Sequence, residues 1–368
     1  MKIIIDRDVL LGALQTVSGA IERRQTLAVL SNILLEAESD FVRLSATDLE
    51  IELSVTLKAS STVKVLETGA ITVSGKKWLD VVKTLPTGEI ELSLDSSKFI
   101  VRSGRSRFTL TTLPAVDFPH LEEGIGTIEF SIDAPLLADL IEKTQFAMAV
   151  QDVRYFLNGL LLESEEQCLR AVATDGHRLA LAEQTLPQSV GDFSVIIPRK
   201  GVLELGRIVG HVNDKVKVVV GSNHIRLTAG ETKFTSKLID SKFPNYKQVL
   251  PKAHECHVGV DKEAFREALQ RTAIVSSDKY KGVRIVAQED GLLLYARSSE
   301  QDEAEVFVAA EVSRPGVEIG FNVQYLLDIT NVVEGESLEV LLGDVNSSVL
   351  IKEKGVDNRL YVVMPMRL

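Results

Sequence analysis

The chain has 368 residues, 45% hydrophobic and 25% charged, with a formal net charge of −11 and two cysteines. These values describe a globular protein of two or three domains, with no apolar run long enough to span a membrane. Cys168 and Cys256 lie too far apart in the chain to suggest a disulfide framework, which points to a reducing, cytoplasmic compartment, and so acidic a chain argues against an ordinary basic nucleic-acid binder unless its charge is sorted by face.

The opening MKIIID is too short an apolar stretch for a signal peptide. A first helix is expected over 8–20, behind Asp6, whose carboxylate can cap free backbone N–H groups; Leu10, Leu14 and Val17 mark its apolar face. GAITVSGKK, from Gly69, reads as a strand entering a second helix over 74–85. It faintly resembles a phosphate loop, but its glycines are one residue too far apart and Lys77 stands where Ser or Thr would hold magnesium. IELSL from Ile90, ending in DSS at Asp95, reads as a strand and turn.

A third helix is expected over 135–149, with Asp133 before it, Pro135 in its first turn, and Leu137, Ile141 and Thr144 on one face. TDGHRL (174–179) sets an Asp near a His, as a hydrolase requires, but no G-x-S-x-G elbow supplies a nucleophile and an Asp-Gly turn between strands is preferred. A fourth helix over 199–209 precedes the strand VKVVV from Val216 and the turn GSN from Gly221. HECH (254–257) matches no zinc spacing and has no second ligand pair, so no metal is expected and a polar linker is the simpler reading. A fifth helix over 261–274, opened by Asp261 and carrying Phe265, Leu269 and Thr272, and a sixth over 323–333 complete the helices; LEVLL from Leu338, with GD at Gly343, is a further strand and turn.

The order of elements repeats three times. IDRDVLLGAL from Ile5 recurs as IDAPLLADLI from Ile132 and VDKEAFREAL from Val260, so that Asp6, Asp133 and Asp261 lie 127 and 128 residues apart. VSGKKWLDV from Val73, IPRKGVLEL from Ile197 and IGFNVQYLL from Ile319 form a second series, 124 and 122 residues apart. Repeats of this length mean three similar whole domains, expected over 1–125, 126–253 and 254–368, each α+β with antiparallel sheets and two helices. The six helical segments hold ten basic and nine acidic residues, +1 against −12 for the remainder, which is compatible with charge sorted by face. RSGRSR from Arg102 is basic and EQDEAE from Glu300 is acidic; opposite signs in the first and last repeats suit a head-to-tail joint, and two chains joined twice close a ring under a twofold axis.

SGRSRF from Ser103, QDVRY from Gln151, ATDGHRL from Ala173, PRKG from Pro198, GFNV from Gly320 and VVMPMRL from Val362 resemble, in order and over the whole chain, the bacterial sliding clamps, the beta subunits of DNA polymerase III. The resemblance implies three clamp domains per chain in a head-to-tail dimeric ring, sheets outside and helices lining the hole, that encircles duplex DNA and tethers the replicative polymerase without catalysing anything and without a cofactor. By match to the family, DNA contacts fall on Arg24, Lys76, Gln151, Tyr155, Arg199 and Lys200. Partners (the polymerase alpha subunit, the clamp loader, other polymerases and repair proteins) are expected to dock short peptides on Arg154, Leu157, Thr174, Gly176, His177, Arg178, Leu179, Pro244, Val249, Asn322, Tyr325, Ser348, Val362, Met364, Pro365, Met366 and Arg367. Phe156 and Gln248 depart from the tyrosine and arginine of close relatives. The ring joint is expected to use Lys77, Val81, Leu85, Arg105, Arg107, Phe108 and Leu110 on one side and Ile274, Val275, Glu300, Asp302, Glu303 and Glu305 on the other. A peptide-binding scaffold that does not enclose DNA, and a hydrolase using Asp175 and His177, are the alternatives.

Overall fold

The structure is a computed structural model that describes every residue except 22–26, 122–125, 252–253, 277–280, 345 and 368. Arg24 and parts of both expected domain boundaries, around 124 and 252–253, lie outside the described residues. Among the described residues there are six α-helices: α1 (Arg7–Val17), α2 (Gly75–Thr84), α3 (Ala134–Glu142), α4 (Arg199–Val209), α5 (Lys262–Val275) and α6 (Val323–Val332). None is long and apolar enough to cross a membrane.

The expected caps operate at both ends of the chain. Asp6 accepts hydrogen bonds from the N–H groups of Asp8 and Val9, and Asp261 from that of Ala264. The residue after each of these aspartates is a cation that reaches the C-terminus of the second helix of its own repeat: Arg7 donates to the carbonyls of Val82 and Lys83, and Lys262 to those of Val333 and Glu334. Cations there satisfy open carbonyls and complement the negative end of the helix dipole. Apolar faces then bury as spaced, with Leu10, Ala13, Leu14 and Val17 on α1 and Phe265, Ala268, Leu269 and Thr272 on α5. The glycine of VSGKK is a packing residue: a Cβ on Gly75 would stand 2.2 Å from Cδ1 of Ile21. GAITVSGKK is therefore a strand, Gly69–Ser74, running into α2.

Two helices are shorter than expected. The chain after Val17 tightens into a 3-10 turn, Ser18–Ala20. α3 stops at Glu142 rather than 149, where the backbone tightens from the i→i−4 bond of the Lys143 N–H to i→i−3 bonds from Thr144 onward and a 3-10 turn, Gln145–Ala147; the Lys143 side chain is 1% exposed and its Nζ donates to the Val332 carbonyl (2.7 Å) and the Glu334 carboxylate (2.6 Å). Three of the helical cations are paired within their own helices, Arg207 with Glu204, Arg266 with Glu263 and Arg271 with Glu267, acids already in the balance, while Lys143 is buried beyond the end of α3.

Each repeat runs strand, helix, four strands, helix, three strands, and the first adds one further strand, Val63–Glu67. The chain forms two compact units, Met1–Leu137 with Lys200–Leu238, and Ala138–Arg199 with Ile239–Leu368. The first holds a 13-stranded sheet and the second a 12-stranded sheet, and the second repeat contributes four strands to each.

One pairing rule joins successive repeats. In the first unit, the last strand of repeat two (Thr232–Lys237) pairs antiparallel with Ile51–Lys58 of repeat one, setting Thr235 opposite Glu52 and Phe234 opposite Leu53. In the second unit, the last strand of repeat three (Arg359–Val363) pairs in the same way with Arg178–Thr185 of repeat two, setting Val362 opposite Leu179 and Tyr361 opposite Ala180. Applied once more, the rule leaves two strands over: Glu303–Val312, which occupies this position in repeat three, and Ser106–Pro114, the last strand of repeat one.

Candidate binding site: a cleft and two open strand edges

Beside the Leu179–Val362 seam of the second unit lies a cleft of about 240 Å³. Leu157, Leu179 and Val362 are buried and form its floor, while Val249 and Met364 are exposed at its rim. Arg154, Thr174, Gly176, Arg178 and Pro244 complete the expected lining, joined by Phe156 and Tyr246, which the peptide-site expectation omitted. Both omitted residues sit beside expected ones, Phe156 between Arg154 and Leu157, and Tyr246 between Pro244 and Val249, and an aromatic in such a position is the signal that would have found them. The Tyr246 hydroxyl donates to Glu163 and accepts from Arg170, and burial together with Glu163 pushes its pKa up, so the phenol stays neutral.

The TDGHRL segment builds the polar wall. Asp175 accepts from the N–H groups of His177 and Arg178 and from Nε of Arg178, so its carboxylate closes a turn and is not directed at the imidazole. Arg178 is committed elsewhere. Besides Asp175 it bonds Asp328 of α6 and the Phe146 carbonyl, and its guanidinium lies 4.5 Å from the centre of the Tyr325 ring. Arg154 is the more available cation: two of its nitrogens hold the Asp152 carboxylate at 3.0 and 2.9 Å, while NH1 lies beside Gly176. Hydrogen bonds from the Arg154 side chain and backbone hold the Asp152 carboxyl at about 2. Gly176 has φ +89°, and a Cβ there would stand 3.0 Å from Arg154 NH1.

The remaining peptide-site residues do not line this cleft. His177 accepts the Met364 N–H through its carbonyl, Asn322 caps α6 by accepting from the N–H of Gln324, and Tyr325 packs on Arg178. Ser348 and Pro365 are half-buried outside it, and Met366 and Arg367 line a separate, larger cleft. Of the residues assigned to DNA, Lys76, Gln151 and Tyr155 are exposed, and Arg199 donates to the Met148 carbonyl at 3.3 Å. Lys200 is ion-paired with the buried side chain of Asp48 and so is no free cation.

The joint residues lie on strands with an unpaired edge. Residues 106–111 have Lys98–Ser103 along one side and no described strand along the other, and Arg105 and Arg107 are exposed there with Phe108 and Leu110 half-buried. Residues 303–309 have Gly291–Arg297 along one side and no described strand on the other, with Glu300, Asp302, Glu303 and Glu305 exposed. Ile274 on α5 is 83% exposed and Val275 half-exposed; on α2, Lys77 is exposed and Val81 half-exposed. Leu85, at 5% exposed, lies in the core of its own unit.

Family models for the DNA polymerase III beta subunit match the N-terminal domain at residues 1–122, the central domain at 131–245 and the C-terminal domain at 247–367. The beta sliding clamp of Pseudomonas putida is 48% identical over 370 residues and that of Escherichia coli 44% identical over 369, each match covering both chains in full. Among solved structures, the DNA polymerase sliding clamp of Pseudomonas aeruginosa with a ligand superposes with a TM-score of 0.96 at 47% identity, and the same organism's clamp bound to griselimycin with 0.96 at 48%, again over the full length of both chains. Three repeats, one pairing rule and full-length identity of this order lead to a single conclusion: the chain belongs to the DNA polymerase III beta-subunit family, the sliding clamps.

Proposed function

We propose that two copies of this chain join head to tail into a closed ring that surrounds duplex DNA and tethers a polymerase for processive synthesis, with no catalytic step of its own. The observation that carries the reading is the pairing rule. Each repeat accepts the last strand of the next, and the two strands left over are the two open edges, one basic and one acidic. Joining them between chains satisfies both edges without a new type of contact and closes under a twofold axis. Aligning the strands by their hairpins gives a register: as Glu52 faces Thr235 and Leu179 faces Val362, Glu303 faces Thr109, Ala304 faces Phe108 and Glu305 faces Arg107. The exposed Ile274 and the half-buried Phe108 and Leu110 supply apolar area, and the charges set the register.

A ring holds DNA by linkage, so tight binding is unnecessary and base-specific contact would stop sliding. Exposed Lys76, Gln151 and Tyr155 touch phosphate in this reading, and the acidic remainder of the chain keeps the attraction weak. A tethered polymerase then rebinds the primer end at high effective concentration. The tether is a short peptide in the cleft: its apolar anchors rest on Leu157, Leu179 and Val362, Arg154 receives a carbonyl or carboxylate, and the flexible Met364 accommodates different partners. The griselimycin-bound clamp of a 48% identical relative supports ligand binding by such proteins.

The register is tested with Thr109→Cys and Glu303→Cys in one chain lacking Cys168 and Cys256. Directly opposed residues of an antiparallel pair lie within disulfide reach, so oxidation should give a covalently closed dimer. Material that stays a single chain on denaturing gels would contradict the joint.

A further inference from the structure

The outer face of the third repeat holds a second cleft, of about 970 Å³, whose lining includes Arg284, Leu293, Tyr295, Arg297, Met366 and Arg367. Alternation along Gly282–Ala287 and Gly291–Arg297 builds it. Val283, Ile285, Leu292 and Leu294 are buried in the core, so the residues between them face outward. Arg284 is paired across the ladder with Tyr295, and its guanidinium lies 5.7 Å from the ring centre. The bond from the Met366 N–H to the Gly320 carbonyl (2.7 Å) fixes the C-terminal tail as one wall.

The lining contains three arginines and no carboxylate. Arg284 is drawn to Glu318 at 3.1 Å and Arg297 to Glu303 at 3.5 Å; a guanidinium carries five N–H donors, more than one carboxylate takes up, so donors remain for an incoming anion. Arg367 is exposed and makes no ion pair with a described residue. The tail also connects the two clefts: Met364 stands at the rim of the first and Met366 in the second, a separation of about 7 Å for two extended residues.

We propose that the second cleft receives an acidic, aromatic-bearing flank of a partner peptide whose apolar core occupies the first cleft. The inference rests on the peptide-docking reading above and adds the chemistry of the residues beyond the core. Carboxylates of the flank bond the guanidinium groups, and its aromatic side chain packs between Tyr295 and Leu293.

The test is fluorescence anisotropy on the full chain with three synthetic peptides: an uncharged core with leucine and phenylalanine anchors, and the same core extended at either end by Asp-Glu-Trp. One extension should tighten binding about tenfold at low salt, the worth of one charged hydrogen bond. Arg284→Gln and Tyr295→Ala should each reduce that gain and leave affinity for the bare core unchanged, which also reports that the variants are folded. Equal affinity for core and extended peptides in the unaltered protein, or a gain that survives both substitutions, overturns the inference and leaves peptide docking intact. Failure of every peptide to bind overturns the docking reading and the inference together.

Discussion

Reversing one charge at the joint separates the derived register from a looser association of the same two edges. In that register Arg107 faces Glu305, both exposed in the single chain. A directly opposed pair of unlike charges contributes roughly 0.2–1 kcal/mol, and Arg107→Glu replaces it with repulsion of similar size, about 0.4–2 kcal/mol per joint. A ring has two joints, so the dimer loses about 1–4 kcal/mol and its dissociation constant rises roughly five- to several-hundred-fold. The effect should shrink with added salt, because screening acts over about 10 Å at 0.1 M. Sedimentation equilibrium at low salt measures it, and adding Glu305→Arg to the same chain should restore the dimer. An unchanged dimer constant in the single variant, or no recovery in the double, would refute the register.

At the cleft floor, Leu179→Ala removes a buried side chain and should cost about 2–5 kcal/mol in urea unfolding as well as most peptide affinity; a change below 1 kcal/mol would mean the floor is not packed as described. Gly176→Ala puts a side chain at φ +89° and against Arg154, a strain of about 1–2 kcal/mol, and should weaken peptide binding with the dimer unaffected. Removing residues 364–368 should abolish peptide binding while leaving the ring closed, and persistent binding would move the site elsewhere. Asp152 has a depressed carboxyl pKa, so what its pairing with Arg154 contributes is present above the ordinary carboxylate range and is lost as pH falls through about 2. Its carboxyl signal in NMR should titrate near that value, and a midpoint in the ordinary range would contradict the clamp.

The plan of the fold was legible because the chain states it three times: the caps at Asp6 and Asp261, the apolar faces of α1 and α5 and the strands at 90, 216 and 338 all stand where spacing places them. What spacing could not show was where side chains end. Lys143 reads as a surface cation of a longer helix, and only partners 189 and 191 residues away, the Val332 carbonyl and the Glu334 carboxylate, explain why it is buried. Lys200 is likewise taken by Asp48, a partner no local pattern names. At the cleft, residues adjacent in sequence were recognisable, whereas the commitment of Arg178 to Asp328 depends on a contact between repeats, and the placing of Met366 and Arg367 in a different cleft depends on the tail's bond to Gly320 within the third repeat. The pairing rule itself was invisible, since strand order between repeats follows from long-range ladders and not from composition.

Enclosure of DNA is the central claim, and topology tests it most directly. The chain is loaded with a clamp loader and ATP onto a nicked circular plasmid, and retention is followed by gel filtration before and after a single cut that linearises the circle. The ring should remain on the circle through a wash in high salt and be lost on linearisation, because it slides off the ends. Equal retention on circular and linear DNA, or release from the intact circle at high salt, would show that the protein is held by surface attraction and would contradict the ring.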